Sequence, residues 1–568
     1  MKIEQWKLNI ENLIWREFPL CFIALLLFAH TTVVIAQNKD LGEQQYVVVK
    51  DYKPVLAEYF KISNTPEKDT SASTPPALSY SISSHPANTA LEISPVKPVK
   101  IKDEALPKLY HALAKAGVGN YATTYGELFV NSKRSKNSSL GFHYKHFSAS
   151  PELKGVGAGS FSDNFASLYG KLFIDRNVFS ADLNYNRNVV HYYGYPKEIL
   201  GGIPQDMTKQ RFGNFNIGVG LASNNLNSKE YIDYSARIEY NNLSDLFETT
   251  EDNFRIKGMA GKYLRDKYVG VDTYYDYNRN NAFSYTKSHS VFSFSPSALL
   301  VNDGKLRLKI RTRLDIDNTF SSFLHFYPLL WEAAYTIGGN IITFHASLDG
   351  GIQKNTLLTV TKVNPYIGTE NFTDFFPKYS NVQVDFLGGV KGNFNNKVFF
   401  AAAARYLNTE NLPLYINSSF AGGVPSMKVV YDDVTQTQVH AEVSYRANEK
   451  LRLALSAIHI IFDMFSEQKP WHLPATKVSL SGSYNLADKI LVSADLFFNG
   501  NTYARTMDDL NPVKLDSWVD ASLGAEYRYS KILSVFVKLN NLGFSRYYIW
   551  NGYPTERFNG LAGISYAF

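Results

Sequence analysis

A single cysteine, Cys21, is all the thiol this 568-residue chain carries. It lies in the N-terminal leader, so no disulfide or thiol chemistry is expected of the mature protein. Past the leader no stretch approaches ~18 uninterrupted apolar residues, which excludes a later transmembrane helix. Charge of one sign is also lacking: 58 Lys and Arg stand against 52 Asp and Glu. No basic patch interleaved with aromatics stands out, so nucleic acid is not expected as a partner. Signatures of catalysis are scarce too. The glycine-rich run Gly155 to Gly159 follows no βαβ pattern and has no P-loop lysine, and reads as a flexible external loop. His143 and His146 are three apart in a strand pattern, point to opposite faces and cannot share a metal from one strand. Carboxylate pairs such as Asp272 with Asp276, or Asp315 with Asp317, read as wet charged walls rather than an acid–base couple. No enzyme activity, no cofactor and no metal are expected.

Aromatics, by contrast, are abundant: 38 Tyr and 38 Phe bring the aromatic share, with tryptophan, to 14%. The stretch Leu306 to Asp317, LRLKIRTRLDID, alternates without a miss. Arg307, Lys309, Arg311, Arg313, Asp315 and Asp317 share one face, and the other face is apolar or neutral. Period two means strand, with one face toward water and one toward oil. The pattern recurs. Val439, Ala441, Val443 and Tyr445 alternate with polar residues, as do Val519, Ala521, Leu523, Ala525 and Tyr527. Arg187, among Leu183, Tyr185 and Val189, breaks the rule and reads as an interface position or a register error. Tight turns such as Asp303-Gly304 and Asn395-Asn396 alternate with longer links near 195–207, 355–379, 408–435 and 547–556. Short periplasmic turns, long external loops and aromatic girdles are the marks of an outer-membrane barrel. The expected fold is all-β: a large transmembrane antiparallel β-barrel of about 20–22 strands with a short, mostly disordered periplasmic segment before it. About 20 strands are counted from Ser139. The higher number requires one more strand in each of 355–379 and 408–435.

The chain in order reads as follows. Residues 1–36 resemble a signal peptide cleaved near Ala36/Gln37, with an apolar run from Phe18 to Ala29. Residues 37–103 form a Pro/Ser/Thr-rich periplasmic arm that buries little. Within it, Tyr46, Val47, Val48, Val49 and Lys50 make a β-prone patch able to add to a partner's sheet edge. Residues 104–137 are read as a short helix capped by Asp103 and ending at Gly117, followed by an extended lead-in. The barrel proper is placed at 138–568. Arg307, Lys309, Arg311 and Arg313 form a basic row lining the lumen. Cross-lumen ion pairing is favoured for it, with attraction of an anionic solute as the alternative.

The ending Asn540-Asn541-Leu542 … Tyr547-Tyr548 … Trp550-Asn551-Gly552-Tyr553-Pro554 … Gly563-Ile564-Ser565-Tyr566-Ala567-Phe568 resembles the last strands of TonB-dependent receptors. The resemblance runs over roughly 119–568. It implies a barrel-assembly signal at Gly563, Tyr566 and Phe568, read by the barrel-assembly machinery. Leu561 stands where the family usually has a polar residue. It also implies a TonB-box role for Tyr46 to Lys50 and a plug-remnant role for Gly119 to Lys133. Most of the lead before Gly117 is Pro/Ser/Thr-rich, so a plug, if any, is expected to be reduced. The implied function is an outer-membrane receptor and transporter importing an unidentified solute with energy from a TonB system. Alternatives are a scaffold subunit of a surface or assembly complex, with the arm as docking peptide, or an ungated pore. Expected partners are outer-membrane lipid, the assembly machinery, and TonB or another periplasmic protein.

Overall fold

The computed structural model describes residues 109–568, apart from 201–202, 225–228, 283–284, 319–321, 340, 370–377, 421–423 and 507–510. The leader, the arm and Asp103 lie outside the described residues. Twenty-two antiparallel strands follow one another as an unbroken meander, and the first, Ala112–Gly119, pairs with the last, Asn559–Ala567. The sheet therefore closes into a barrel with no free edge. Closure is what lets a sheet sit in oil, because every unpaired N–H or C=O there costs several kcal/mol. The joint is continued past the strand ends: Phe568 N donates to Ala112 O (2.9 Å), and Phe568 O accepts from His111 N at 2.8 Å.

The alternation read along the sequence shows as two faces. Directly opposed residues of adjacent strands form the rung Val219–Ile238–Ile256–Tyr275–Phe292–Ile316–Leu324. All seven are exposed, from 39% to 65%. A contiguous exposed belt of this kind is untenable in water and matches a lipid-facing wall. Toward the long-loop end the outer face turns polar. His146 lies 2.8 Å from Asn164 and 3.0 Å from Thr124. Arg187 sits in this zone, on the outer face with Leu183 and Tyr185, and its opposed neighbours are Asn164 and Gly213. The register was right, and the arginine marks where the apolar belt stops.

The total of 22 strands is reached by a different route from the one expected. The 20 strands from Ser138 onward are as counted, but neither long link adds one. Residues 408–435 are the far halves of two very long paired strands, Val398–Phe420 and Val424–Arg446, and 355–379 contains the helix Leu357–Val363. The missing pair comes from before residue 138. Ala112–Gly119, expected as the end of a helix, is the first strand, and Thr123–Asn131, expected as a plug remnant, is the second. The barrel thus starts at Ala112, not at 138. The spacing of Leu106, Leu109, Tyr110 and Leu113 is helical, and Ala, Leu and Lys at 112–116 are good helix formers, with only Gly117 and Gly119 against a helix. Two open edges waiting on either side override that preference.

The seam between first and last strands requires glycine. Gly117 and Gly563 are opposed. A Cβ on Gly563 would overlap the Ala116 carbonyl oxygen and the Phe536 ring. Gly563→Val is therefore expected to destabilise closure by ~1–3 kcal/mol. The check is the heat-modifiable folded fraction on a semi-native gel, with Ile564→Val on the outer face as control. Equal folded fractions in the two variants would remove the seam from the account.

Candidate functional site

Among the described residues, parts of several long loops are buried rather than out in solvent. They fold inward over the barrel mouth and pack on one another. Leu357, Val360 and Ile367 from the link after Ile342–Gln353, Tyr415, Met427 and Val429 from the long hairpin, and Tyr553 from the last link share one buried cluster. Phe212, Leu243 and Ala282 of the barrel wall belong to it too. Strands so far apart in a ring of 22 cannot be neighbours on the wall. Contact between their loops therefore crosses the lumen, and the cluster is a lid.

Aromatic rings and backbone acceptors lock it. Tyr366 stacks on Tyr553 at 4.0 Å, and Tyr193 meets Tyr553 edge-on at 5.1 Å. Three hydroxyls in and beside this stack are placed: Tyr192 Oη donates to Ile367 O (2.8 Å), Tyr193 Oη to Pro554 O (3.0 Å) and Tyr553 Oη to Pro425 O (3.0 Å). A buried tyrosine contributes apolar area only if its hydroxyl finds a partner, and each of these bridges two loops. Gly552, at φ +87°, makes the turn that puts Tyr553 there. Gly157, expected in a flexible loop, is pinned: its N–H donates to Tyr193 O at 3.0 Å.

The helix Leu357–Val363 is fixed from both ends of the argument, local and tertiary. Thr356 and Thr359 form a reciprocal capping box. From the wall, the fully buried Glu251 accepts Leu357 N (2.6 Å) and Leu358 N (3.2 Å). Nearby, Asp245 accepts from Gln210, Thr369, Phe247 N and Thr249 N. Burial raises the Asp245 carboxyl even so. On the other side of the lid, His472 Nδ1 contacts Tyr415 O (2.9 Å), and Asn551 N donates to its Nε2 at 3.1 Å. That second bond requires an unprotonated Nε2, and burial accordingly pushes the imidazole down to about 4.

Below the lid the lumen is polar. A cavity of about 520 Å³ is roofed by Leu358, Thr361, Lys362 and Pro365 of the lid. Its walls carry His143, Lys145, Asp163, Asn186, Asn188 and Asn214. His143, facing inward, contacts Glu127 at 3.1 Å, whereas His146 faces out.

Acids of the same and neighbouring strands accompany Arg307, Lys309, Arg311 and Arg313. Arg311 pairs with Asp349 (2.6 Å) and Arg313 with the fully buried Asp315 (2.9 Å). Arg313 also donates to Tyr274 Oη at 3.0 Å and Gly350 O at 3.2 Å. Arg307 and Lys309 flank Glu332, with Arg307 4.0 Å away. The row belongs to a mutually neutralised wall that also holds Arg237 with Asp182 and Glu239, and Arg255 with Asp276. Tyr46 to Lys50 lie outside the described residues. Gly563 sits in the seam, and Tyr566 and Phe568 project outward with their rings 5.9 Å apart. Sequence reading missed the lid: Tyr192, Tyr193, Glu251, Tyr366, His472 and Tyr553 were assigned no role. The signal present was apolar and aromatic residues, such as Leu357-Leu358 and Trp550 … Tyr553, inside links long enough to fold back.

A closed 22-stranded antiparallel barrel with an apolar outer belt is the architecture of large outer-membrane barrels. Solved structures carry the same fold. The siderophore receptor PirA from Acinetobacter baumannii superposes with a TM-score of 0.63 at 10% identity, covering 82% of this chain and 81% of that one. The copper transporter OprC gives 0.59 at 12% identity with 82% of both chains covered. A mutant of the ferric enterobactin receptor PfeA from Pseudomonas aeruginosa gives 0.60 at 10% identity with 80% of both. The resemblance to TonB-dependent receptors is thus one of fold. No family model matches the sequence, and no curated protein matches it.

Two predictions concern the lid. Tyr553→Ala removes its central ring and is expected to destabilise lid packing by ~3–5 kcal/mol. In planar bilayers the wild type should be nearly silent and the variant should conduct; an equally open wild type would refute closure. The second is pH. His472 has a folded-state value below its ordinary one, so the unfolded lid binds more protons between about pH 4 and pH 6.5. Stability of the lid then rises with pH and is lost as pH falls through that window. The raised carboxyls of Asp245 and Glu556 act in the opposite sense. Acidification through that window should therefore raise the conductance of the wild type relative to His472→Gln, which keeps the carboxyls and lacks the imidazole; identical pH profiles would assign the response elsewhere.

Proposed function

We propose that the protein is an outer-membrane receptor that imports a solute through its lumen, with the loop lid as the outer gate. The observation carrying this reading is the pairing of loops packed together across the mouth with a cavity beneath them that carries charged and amide side chains. A permanent pore has no use for a core of stacked tyrosines across its opening. The shared fold supports it, since the proteins that carry that fold are named as siderophore and enterobactin receptors and a copper transporter. Opening such a lid requires work, because aromatic packing and several bridging hydrogen bonds must be broken together. Energy from a TonB system, delivered through the arm at Tyr46 to Lys50, is the source in this reading. Gly563, Tyr566 and Phe568 then act as the signal by which the assembly machinery inserts the barrel.

The basic row contributes a neutralised wall rather than an anion trap, because its arginines already hold carboxylates. Exposed or partly wet pairs of this sort add little stability each, about 0–1 kcal/mol. Their consequence is electrostatic: the lumen presents no strong field of one sign.

The test is retention of the purified full-length protein, in mild detergent, on immobilised periplasmic TonB domain. Retention is expected for the wild type and loss for a variant lacking residues 46–50. If the wild type is not retained, energised import is refuted, and the scaffold reading is then tested by asking whether the tagged barrel co-purifies with a stoichiometric partner.

A further inference from the structure

The inner wall beneath the lid carries an asparagine row whose amides in part bond one another, Asn184 Nδ2 donating to Asn216 Oδ1 at 3.1 Å, and in part hold the charged rung beside it, Asn253 Nδ2 donating to Asp276 Oδ1 at 2.9 Å. Asn184, Asn216, Asn241, Asn253 and Asn278 occupy five adjacent strands and are directly opposed, one to the next, around the barrel. Adjacent strands lie ~4.8 Å apart, so the row is a track of carboxamides at about that spacing, close to the width of a sugar ring. One end, at Asn241, Asn253 and Asn278, is buried. The other end leads into the 520 Å³ cavity, where Asn186, Asn188 and Asn214 continue the same chemistry. The Oδ1 atoms of Asn188 and Asn214 are buried yet have no partner in the protein, and neither has Nδ2 of Asn241. The unmet atoms in the cavity are both acceptors, on adjacent strands.

We propose that this wall binds an uncharged oligosaccharide. This rests on the receptor reading above and names the solute class for it. Each carboxamide both donates and accepts, and so does each sugar hydroxyl, so a run of one matches a run of the other. Phe165 lines the same cavity and offers an apolar edge to the C–H side of a pyranose ring. A charged solute finds less. One rung toward the tight-turn end, Asp182, Glu239, Arg255 and Asp276 are already engaged with one another or with Arg237. In the cavity Asp163 is taken by Asn188. Lys145 and Lys362 make an anionic sugar the natural competitor, and the experiment includes one.

The experiment is current block in planar bilayers through the Tyr553→Ala barrel, with maltohexaose, cellohexaose, hexagalacturonate and a neutral hexapeptide added to the long-loop side. Saturable block by at least one neutral hexasaccharide is expected, with the half-blocking concentration raised about tenfold in Asn188→Ala/Asn214→Ala, a loss of ~1.4 kcal/mol. Block by hexagalacturonate or the peptide alone overturns the proposal, as does no block at all, or block indifferent to the asparagines. Should Tyr553→Ala fail to fold, calorimetric titration of the wild type with the same four probes decides by the same outcomes. TonB retention plays no part in this readout. A barrel that binds sugar but not TonB would sink only the energised-import reading, and one that binds TonB but not sugar only this one.

Discussion

The structure depends on one constraint: a sheet facing lipid may leave no backbone edge unpaired. That demand decides where the barrel begins. Ala112–Gly119 is short, small in its side chains and partly helical in its spacing, yet it is a strand because two edges would otherwise stay open. The same demand places Gly117 against Gly563, and at Gly563 the Ala116 carbonyl approaches too closely for a Cβ. Once the ring is shut, all remaining choices concern what faces in, what faces out and what covers the mouth.

Inside and out are settled by the same period of two. Rungs one residue apart differ completely: Val219 to Leu324 is apolar and exposed, whereas Asp182, Glu239, Arg255 and Asp276 are charged and mutually paired. The lid answers a different problem. Loops brought over a lumen lose contact with water and must satisfy their own polar groups. They do so with tyrosine hydroxyls on carbonyls, a capped helix seated on Glu251, and a neutral His472 shared between Tyr415 and Asn551.

Much of the barrel could be read from the chain because alternation is a local property. Leu306–Asn318 shows its lumenal and lipid faces in its own residues, and even Arg187 proved to be a boundary marker rather than a misreading. What could not be read was whatever depends on partners distant in sequence. Nothing within ALAKAGVG announces that its neighbours are residues 561–567. Nothing in Tyr192 or Tyr553 announces that they meet loops more than a hundred residues away. The basic row was legible as a row, but its pairing with Asp349 and Asp315 required the neighbouring strand and the bulge at Arg311/Arg313.

The two very long strands, Val398–Phe420 and Val424–Arg446, carry one more implication. Their register shifts between Thr409 and Leu412, and Asn411 there adopts a left-handed backbone. A ribbon that is continuous through such a kink is a lever: its lower half is clamped in the wall by both neighbours, while its upper half rests on the other loops and, through Tyr415, Met427 and Val429, on Phe212, Leu243 and Ala282. Force on the upper arm is thus shared between a short pivot and the packing across the mouth.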